Sequence, residues 1–368
     1  MKKIRTEKNS LKNTILLEVG TEPLPANSIY PLAKQLKANI RSILKSNHIV
    51  FGGVETFDTY RRLVVFVKDV RELQEPREIE FRGPSKEMAF DEHNKATRAF
   101  LGFLKKNGLK EIDVEIKETS QGEYLYGKKK EPAKKTILML PGLIKELVNS
   151  ISCEKNMRWN GNYGFIRPIR WFLLLWNDTP VMFELAGVKS GGVTFGHQVL
   201  APEPYRVKGA ADYFREAKKH YVDIDFNERR RKIEKGVSAL AAKRKGCLYF
   251  DPELLDELAN LVECPGFISG SFNKKFLFLP DEVLMTSMKK GQKLFCVRDK
   301  KGGVMPAFLA VIDNRPAPSI KSRIRANYER VLEAKLKDSE FFLKQDIKTT
   351  LIDRVDFLKE IIFQKDLG

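Results

Sequence analysis

The chain has 368 residues, 42% hydrophobic, 31% charged and 10% aromatic, a composition that supports buried cores and excludes disorder throughout. At this length two or three domains are expected. The 66 Lys and Arg against 48 Asp and Glu leave a formal charge of +18, which points to a polyanionic partner, nucleic acid before a membrane surface; the apolar run Trp171 to Trp176 is too short to cross a bilayer.

Residues 1–13 are basic and polar without an apolar stretch, so they read as a disordered tail and not as a secretory signal. An N-terminal α+β domain is expected over residues 14–201. Thr14 to Val19 reads as a buried strand ending at Gly20, and Asn27 or Ser28 caps a helix whose core positions are Ile29, Leu32, Ala33, Leu36, Ile40, Ile43 and Leu44. The opposite face of this helix carries Lys and Arg. Strands Phe51 to Phe57 and Leu63 to Val67 are joined through Asp58-Thr59-Tyr60. A helix from Thr97 to Lys106 stops at Asn107-Gly108, and the lysines of Gly127 to Lys135 suggest an exposed basic loop. Leu140 to Ile151 restarts a helix; Phe165 to Trp176 and Val181 to Leu185 read as a strand pair, and Pro202 with Pro204 as a linker.

Residues 202–315 are expected to hold a basic helical segment and a small α/β module, since 206–246 carries 13 Lys or Arg against 6 Asp or Glu. Asn227 caps its second helix and Gly246 ends it. Helix Pro252 to Val262, strand Gly266 to Phe272, helix Glu282 to Gly291 and strands Lys293 to Val297 and Ala307 to Ile312 follow. From Ile320 to Gly368 the pattern is helical, with Leu351, Val355, Leu358, Ile361 and Ile362 on one side; residues 316–368 read as the start of a helical domain continued by downstream sequence. The four cysteines lie far apart, consistent with a reduced, cytoplasmic protein without a zinc site.

Phosphate-loop, Gly-x-Gly-x-x-Gly, His-Glu-x-x-His and Gly-x-Ser-x-Gly motifs are absent. What stands out is the mixing of cations with aromatics. Arg158, Trp159, Arg167, Arg170 and Trp171 fall close together; arginine binds phosphate and stacks on bases, and tryptophan offers a stacking face. The same residues fit equally as core tryptophans with arginines paired at a sheet edge. Arg61, Arg62 and Arg82 sit at expected strand ends, able to present to phosphate or simply to be solvated. His197, after Gly191-Gly192, is either a ligand contact or a structural histidine. Arg229, Arg230 and Arg231 form a solvated or phosphate-tracking helix face, and Lys289, Gln292 and Lys293 cluster near a helix end, where the dipole also favours cations.

Taken in order, these blocks resemble the beta subunit of the bacterial two-subunit glycyl-tRNA synthetase, specifically its N-terminal half. The resemblance runs from Leu17-Glu18-Val19-Gly20-Thr21-Glu22-Pro23-Leu24-Pro25 through Tyr60-Arg61-Arg62-Leu63, Arg82-Gly83-Pro84, Met157-Arg158-Trp159, Phe165 to Trp171 and Thr194-Phe195-Gly196-His197. It continues in Met288 to Phe295, Asn327 to Val331, Leu336 to Phe342 and Phe363 to Gly368. Gln198, Lys335 and Ser339 stand where the family pattern carries Arg, Arg and Ala. The resemblance implies a multidomain α+β mosaic of small α/β modules similar to the phenylalanyl-tRNA synthetase beta chain, followed by an all-helical segment. It further implies no catalytic site and no cofactor in this chain, with ATP and Mg held by an alpha subunit in an alpha2beta2 complex, and tRNA(Gly) as the bound partner. The nucleotide-binding signatures of both synthetase classes are missing here. Two other readings compete: a freestanding RNA-binding module using Arg206 to Gly246, and a hydrolase clearing mischarged tRNA through His197 and Asp338.

Overall fold

The computed structural model describes residues 13–161 and 163–361; the expected N-terminal tail up to residue 12 and the block from Phe363 to Gly368 lie outside them. Strand β1 (Asn13–Thr21) is central in the largest sheet because its apolar residues are buried on both faces. Helix α1 (Ala26–Ser46) buries the seven positions its 3.6-residue period picks out, from Ile29 to Leu44. That burial contributes roughly 10 kcal/mol or more relative to exposure, before chain entropy is charged against it. The cap differs from expectation: Pro25 occupies the N-cap without a side-chain bond, and the Ser28 hydroxyl donates to the Pro25 carbonyl at 2.7 Å. Strands β2 (Gly53–Thr59) and β3 (Arg62–Val70) form the hairpin expected around Asp58-Thr59-Tyr60.

A small satellite follows: β4 (Arg77–Ser85), the single turn α2 (Lys86–Ala89), α3 (Arg98–Asn107), β5 (Val114–Thr119) and β6 (Gly122–Glu131). Thr97 caps α3 by accepting from the Phe100 amide, and Gly108 takes the left-handed conformation at φ 60° that ends it. The expected basic loop at Gly127 to Lys135 is mostly strand. β6 lies between β4 and β5, and its charges are tied across the sheet, Lys128 to Glu115 at 2.7 Å and Glu131 to Arg77 at 2.7 Å.

Helix α4 (Thr136–Asn149) packs beside α1; then come β7 (Met157–Trp159), β8 (Tyr163–Phe165) and β9 (Ile169–Trp176), which pairs antiparallel with β1. Only the two-residue β10 (Thr179–Pro180) folds back on β9. The Val181 to Leu185 segment yields β11 (Glu184–Leu185), paired with β12 (Val188–Gly191), which runs parallel to β9. The sheet order is β11-β12-β9-β1-β3-β2. Pro204, expected in a linker, opens β14 (Pro204–Arg206), paired with β13 (Val193–Phe195). Helix α5 (Ala210–Lys219) then packs Tyr213 and Ala217 on the face of the large sheet opposite α1 and α4, against Leu16, Val64 and Leu173.

The second α/β module comprises α6 (Phe226–Lys243), β15 (Cys247–Leu248), α7 (Pro252–Ala259), β16 (Pro265–Ser271), α8 (Asp281–Lys289), β17 (Leu294–Arg298) and β18 (Val304–Asp313), with sheet order β15-β17-β18-β16. Asp225, not Asn227, caps α6 by accepting from the Glu228 amide at 3.1 Å, and Lys245 takes the left-handed turn before Gly246. α6 and α7 cover one face of this sheet; α8 and α9 (Pro318–Lys348) cover the other, with Leu332 and Leu336 fully buried. The helix stops at Lys348. Beyond it are short 3-10 turns in which Leu351, Val355, Leu358 and Ile361 are exposed, so the single helical pattern expected to Gly368 does not hold over the described residues. Ser339 has its hydroxyl 3.0 Å from that of Ser287 on α8.

Candidate nucleic-acid interface

Alternation along the strands decides where the first group of candidates points. Glu18 on β1, Arg62 on β3 and Trp171 on β9 share the face of the large sheet that turns toward α5 and the second module. Arg62 is 1% exposed, so this arginine is enclosed by the protein. Its Nε donates to Glu263 Oε1 at 2.9 Å, Nη1 to Glu18 at 3.3 Å and to the Phe195 carbonyl at 2.9 Å, and Nη2 to the Gly196 carbonyl at 3.0 Å. Thr194, through its hydroxyl, and Trp171, through Nε1, donate to Glu18; Thr59 donates to Glu263 at 2.6 Å. Trp171 lies flat across the strand because Gly20 leaves room: a Cβ there would sit 1.9 Å from Trp171 Cε2.

One guanidinium thus answers two buried carboxylates. Burial pushes the Glu18 pKa up, and Arg62, Thr194 and Trp171 only partly oppose it. Burial alone would lower the pKa of Arg62, but Glu263 and Glu18 more than offset this and leave it above its ordinary value.

Arg229, in the first turn of α6, is likewise internal. It donates to the Ala259 carbonyl at 2.7 Å and to the carbonyls of Asp58 and Asp223 at 2.8 Å, with the Asp58 carboxylate 3.3 Å away. His197 is 1% exposed. Its Nδ1 accepts from the amides of Val199 and Leu200 at 3.1 Å, which puts the proton on Nε2; that nitrogen lies 3.1 Å from Asp313 Oδ1, outside hydrogen-bond geometry but close enough for electrostatic attraction. Asp313 also accepts from the Tyr60 hydroxyl at 2.8 Å and from the amides of Glu263 and Cys264 at 2.8 and 2.7 Å. Burial raises the Asp313 pKa, yet these contacts bring it below its usual value. The segments Thr59 to Arg62 and Thr194 to His197 therefore meet in one polar joint between the large sheet and the second module. Arg62, Arg229 and His197 are enclosed in it, not displayed to a partner.

Of the other arginines, Arg82, Arg158 and Arg170 are exposed, while Arg61 and Arg167 are half-buried. Arg61 lies over the Trp171 ring at 5.7 Å; Arg170 pairs with Glu22 at 3.3 Å, and Arg167 donates to the Pro23 carbonyl at 3.2 Å. Arg158 is exposed on β7 beside the half-buried Trp159, which packs edge-on to Tyr163 at 5.4 Å. Arg82, on the satellite, covers the Tyr124 ring at 4.1 Å.

The cations of the second module are largely compensated. α7 supplies Asp256 to Arg230 at 2.6 Å and Glu257 to Lys293 at 2.7 Å, while Asp251 and Glu253 hold Lys289 at 2.8 and 3.1 Å. Arg231 is exposed and donates to the Asn227 carbonyl at 3.3 Å; Gln292 is half-buried. His197 and Asp338 are not brought together: the ring is buried against Asp313, whereas Asp338 is exposed on α9. Among the described residues no group of three or more His, Cys, Asp or Glu could hold a metal ion, and no helix is long and apolar enough to cross a membrane. Cys153, Cys247, Cys264 and Cys296 are free thiols.

Sequence reasoning missed the acidic half of the joint: Glu18, Asp58, Glu263 and Asp313. A signal existed in Glu18, a lone charge inside the apolar strand Ile15 to Val19.

Comparison with known proteins extends along the same stretch. A family model described as glycyl-tRNA synthetase beta subunit matches residues 15–368. Glycine-tRNA ligase beta subunits from Clostridioides difficile (strain 630) and Bacillus subtilis (strain 168) are 36% and 37% identical over 360 and 358 residues, 97% of this chain and 52% of theirs. That from Syntrophus aciditrophicus (strain SB) is 36% identical over 359 residues. The chain spans about half the length of these curated relatives.

Proposed function

The chain belongs to the glycyl-tRNA synthetase beta subunit family, and from that premise we propose that it is the N-terminal half of a subunit of a glycine-tRNA ligase, holding tRNA(Gly) while an alpha subunit attaches glycine to it. The observation that carries this reading is the similarity itself, spread over 97% of the chain to proteins named as this subunit. The surplus of +18 is what binding a folded polyanion calls for. In this reading the alpha subunit supplies the site for ATP and Mg, the assembly is alpha2beta2, and it works in the cytoplasm. The small sheets are modules of the kind found in the phenylalanyl-tRNA synthetase beta chain. Exposed Arg82, Arg158, Arg170 and Arg231, with half-buried Arg61 and Arg167, stay as contact candidates. The polar joint keeps the two larger sheets in fixed orientation, which lets one rigid surface meet a tRNA of fixed shape.

Glycylation of tRNA(Gly) by purified alpha subunit, with and without the full-length beta chain, tests the proposal. Charging is expected only with both present. Full activity of alpha alone, or none from the pair, overturns it.

A further inference from the structure

We propose that the outer face of α1 is a track for a nucleic-acid backbone, formed by Lys34, Lys37, Arg41 and Lys45 with Tyr30 at its start; this rests on the tRNA-binding reading above. The residues follow one another at steps of four, three, four and four, which places them in a single stripe on the side of the helix away from its core. Successive members stand about 4.5–6 Å apart along the axis, and the stripe is about 22 Å long, a spacing on the scale of consecutive phosphates in one strand.

The four cations of this helix have no acid to answer them on their own face. α1 is 21 residues long and contains no acidic residue. Its four cations are exposed, and among the described residues none of their side chains has an ion-pair partner. Several exposed cations on other helices are matched within their own helix: Arg215 with Asp212, Lys219 with Glu216, Lys337 with Glu333, Lys344 with Glu340. A helix face that is merely solvated normally carries both signs.

Two further features suit RNA. Tyr30 is 71% exposed and in line with the cations, giving a stacking surface for an unpaired base. At the other end Arg41 and Lys45 line an open cleft of about 470 Å³ with His48, Phe51, Gly52 and Glu75, in which the Glu75 carboxylate is already engaged by Arg71 at 3.0 Å. A membrane surface would call for a flank of large apolar side chains beside the cations, and on α1 the large exposed apolar side chain is Tyr30.

The test uses the full-length beta chain assembled with alpha and measures tRNA(Gly) binding across a salt series. Replacing all four cations (Lys34→Gln, Lys37→Gln, Arg41→Gln, Lys45→Gln) is expected to weaken binding and to reduce the log-log salt slope by about 3, at about 0.7–0.9 per lost phosphate contact. Tyr30→Ala is expected to lower affinity roughly tenfold with the slope unchanged. An unaltered slope in the fourfold variant, beside a wild-type complex that binds, overturns the track alone. Loss of alpha from the fourfold variant, or wild-type binding to anionic vesicles that the variant loses while keeping tRNA, also overturns it. A wild-type complex that does not bind tRNA overturns both this and the function it rests on.

Discussion

The arginines of the polar joint and the cations of α1 lie at opposite ends of one scale. Arg62 and Arg229 are fully enclosed, and each guanidinium nitrogen donates to a carboxylate or carbonyl of this chain. Those of α1 are exposed with no acid on their helix. Dense runs such as Arg61-Arg62 and Arg229-Arg230-Arg231 attract the eye in the sequence, yet each places an arginine inside the fold. The sparse row on α1 leaves its charge outward. Local cation density is thus a poor guide to surface potential; pairing decides it.

Removing Arg62 is the strongest way to break that comparison. Arg62→Ala leaves Glu18 and Glu263 buried without a counter-charge and is expected to cost about 3–5 kcal/mol in urea unfolding; a variant as stable as the parent would show that the joint bears no strain. For the same reason a double change of Arg229 and Arg230 to Glu reports on folding, not on RNA contact. Gly20→Ala forces a methyl group into the Trp171 ring and is expected to cost about 1–3 kcal/mol, read as a lower urea midpoint.

The pH dependence sharpens the picture further. Glu18 has its folded pKa raised above 4.5, so the stability it contributes is present below 4.5 and is lost as pH rises through the raised value. Midpoints taken upward from pH 4.5 are expected to decline in the parent and to decline less in Glu18→Gln, which cannot titrate; equal slopes would mean that Arg62 fully neutralises the carboxylate. Smaller still is the half-exposed pair Arg230 and Asp256, where Arg230→Gln is expected to change stability by about 0.2–1 kcal/mol, less at high salt. Least of all, Lys37→Gln with Arg41→Gln is expected to stay within about 0.5 kcal/mol of the parent, since neither side chain is packed or paired.

Much of the fold was legible where one period dominates. The seven core positions of α1 and the β2–β3 hairpin follow from spacing alone, and Gly108 marks the end of α3 because only its backbone conformation is needed there. The three lysines of β6 misled because a strand held by cross-strand ion pairs resembles a loop when its partners are not in view. Arg62 was singled out, but its burial could not be read: Glu263 lies 201 residues further along the chain, and no local pattern announces that contact. The compensation of Arg230, Lys289 and Lys293 was closer to the surface of the sequence, in the acids between Asp251 and Glu257.

Asp313 gathers the Tyr60 hydroxyl from the first sheet and the amides of Glu263 and Cys264 from the second onto one carboxylate. Neither sheet can open there without releasing the other, so those amides are expected to take up deuterium as slowly as the β1 backbone. Both sheets are accordingly expected to melt in a single calorimetric peak.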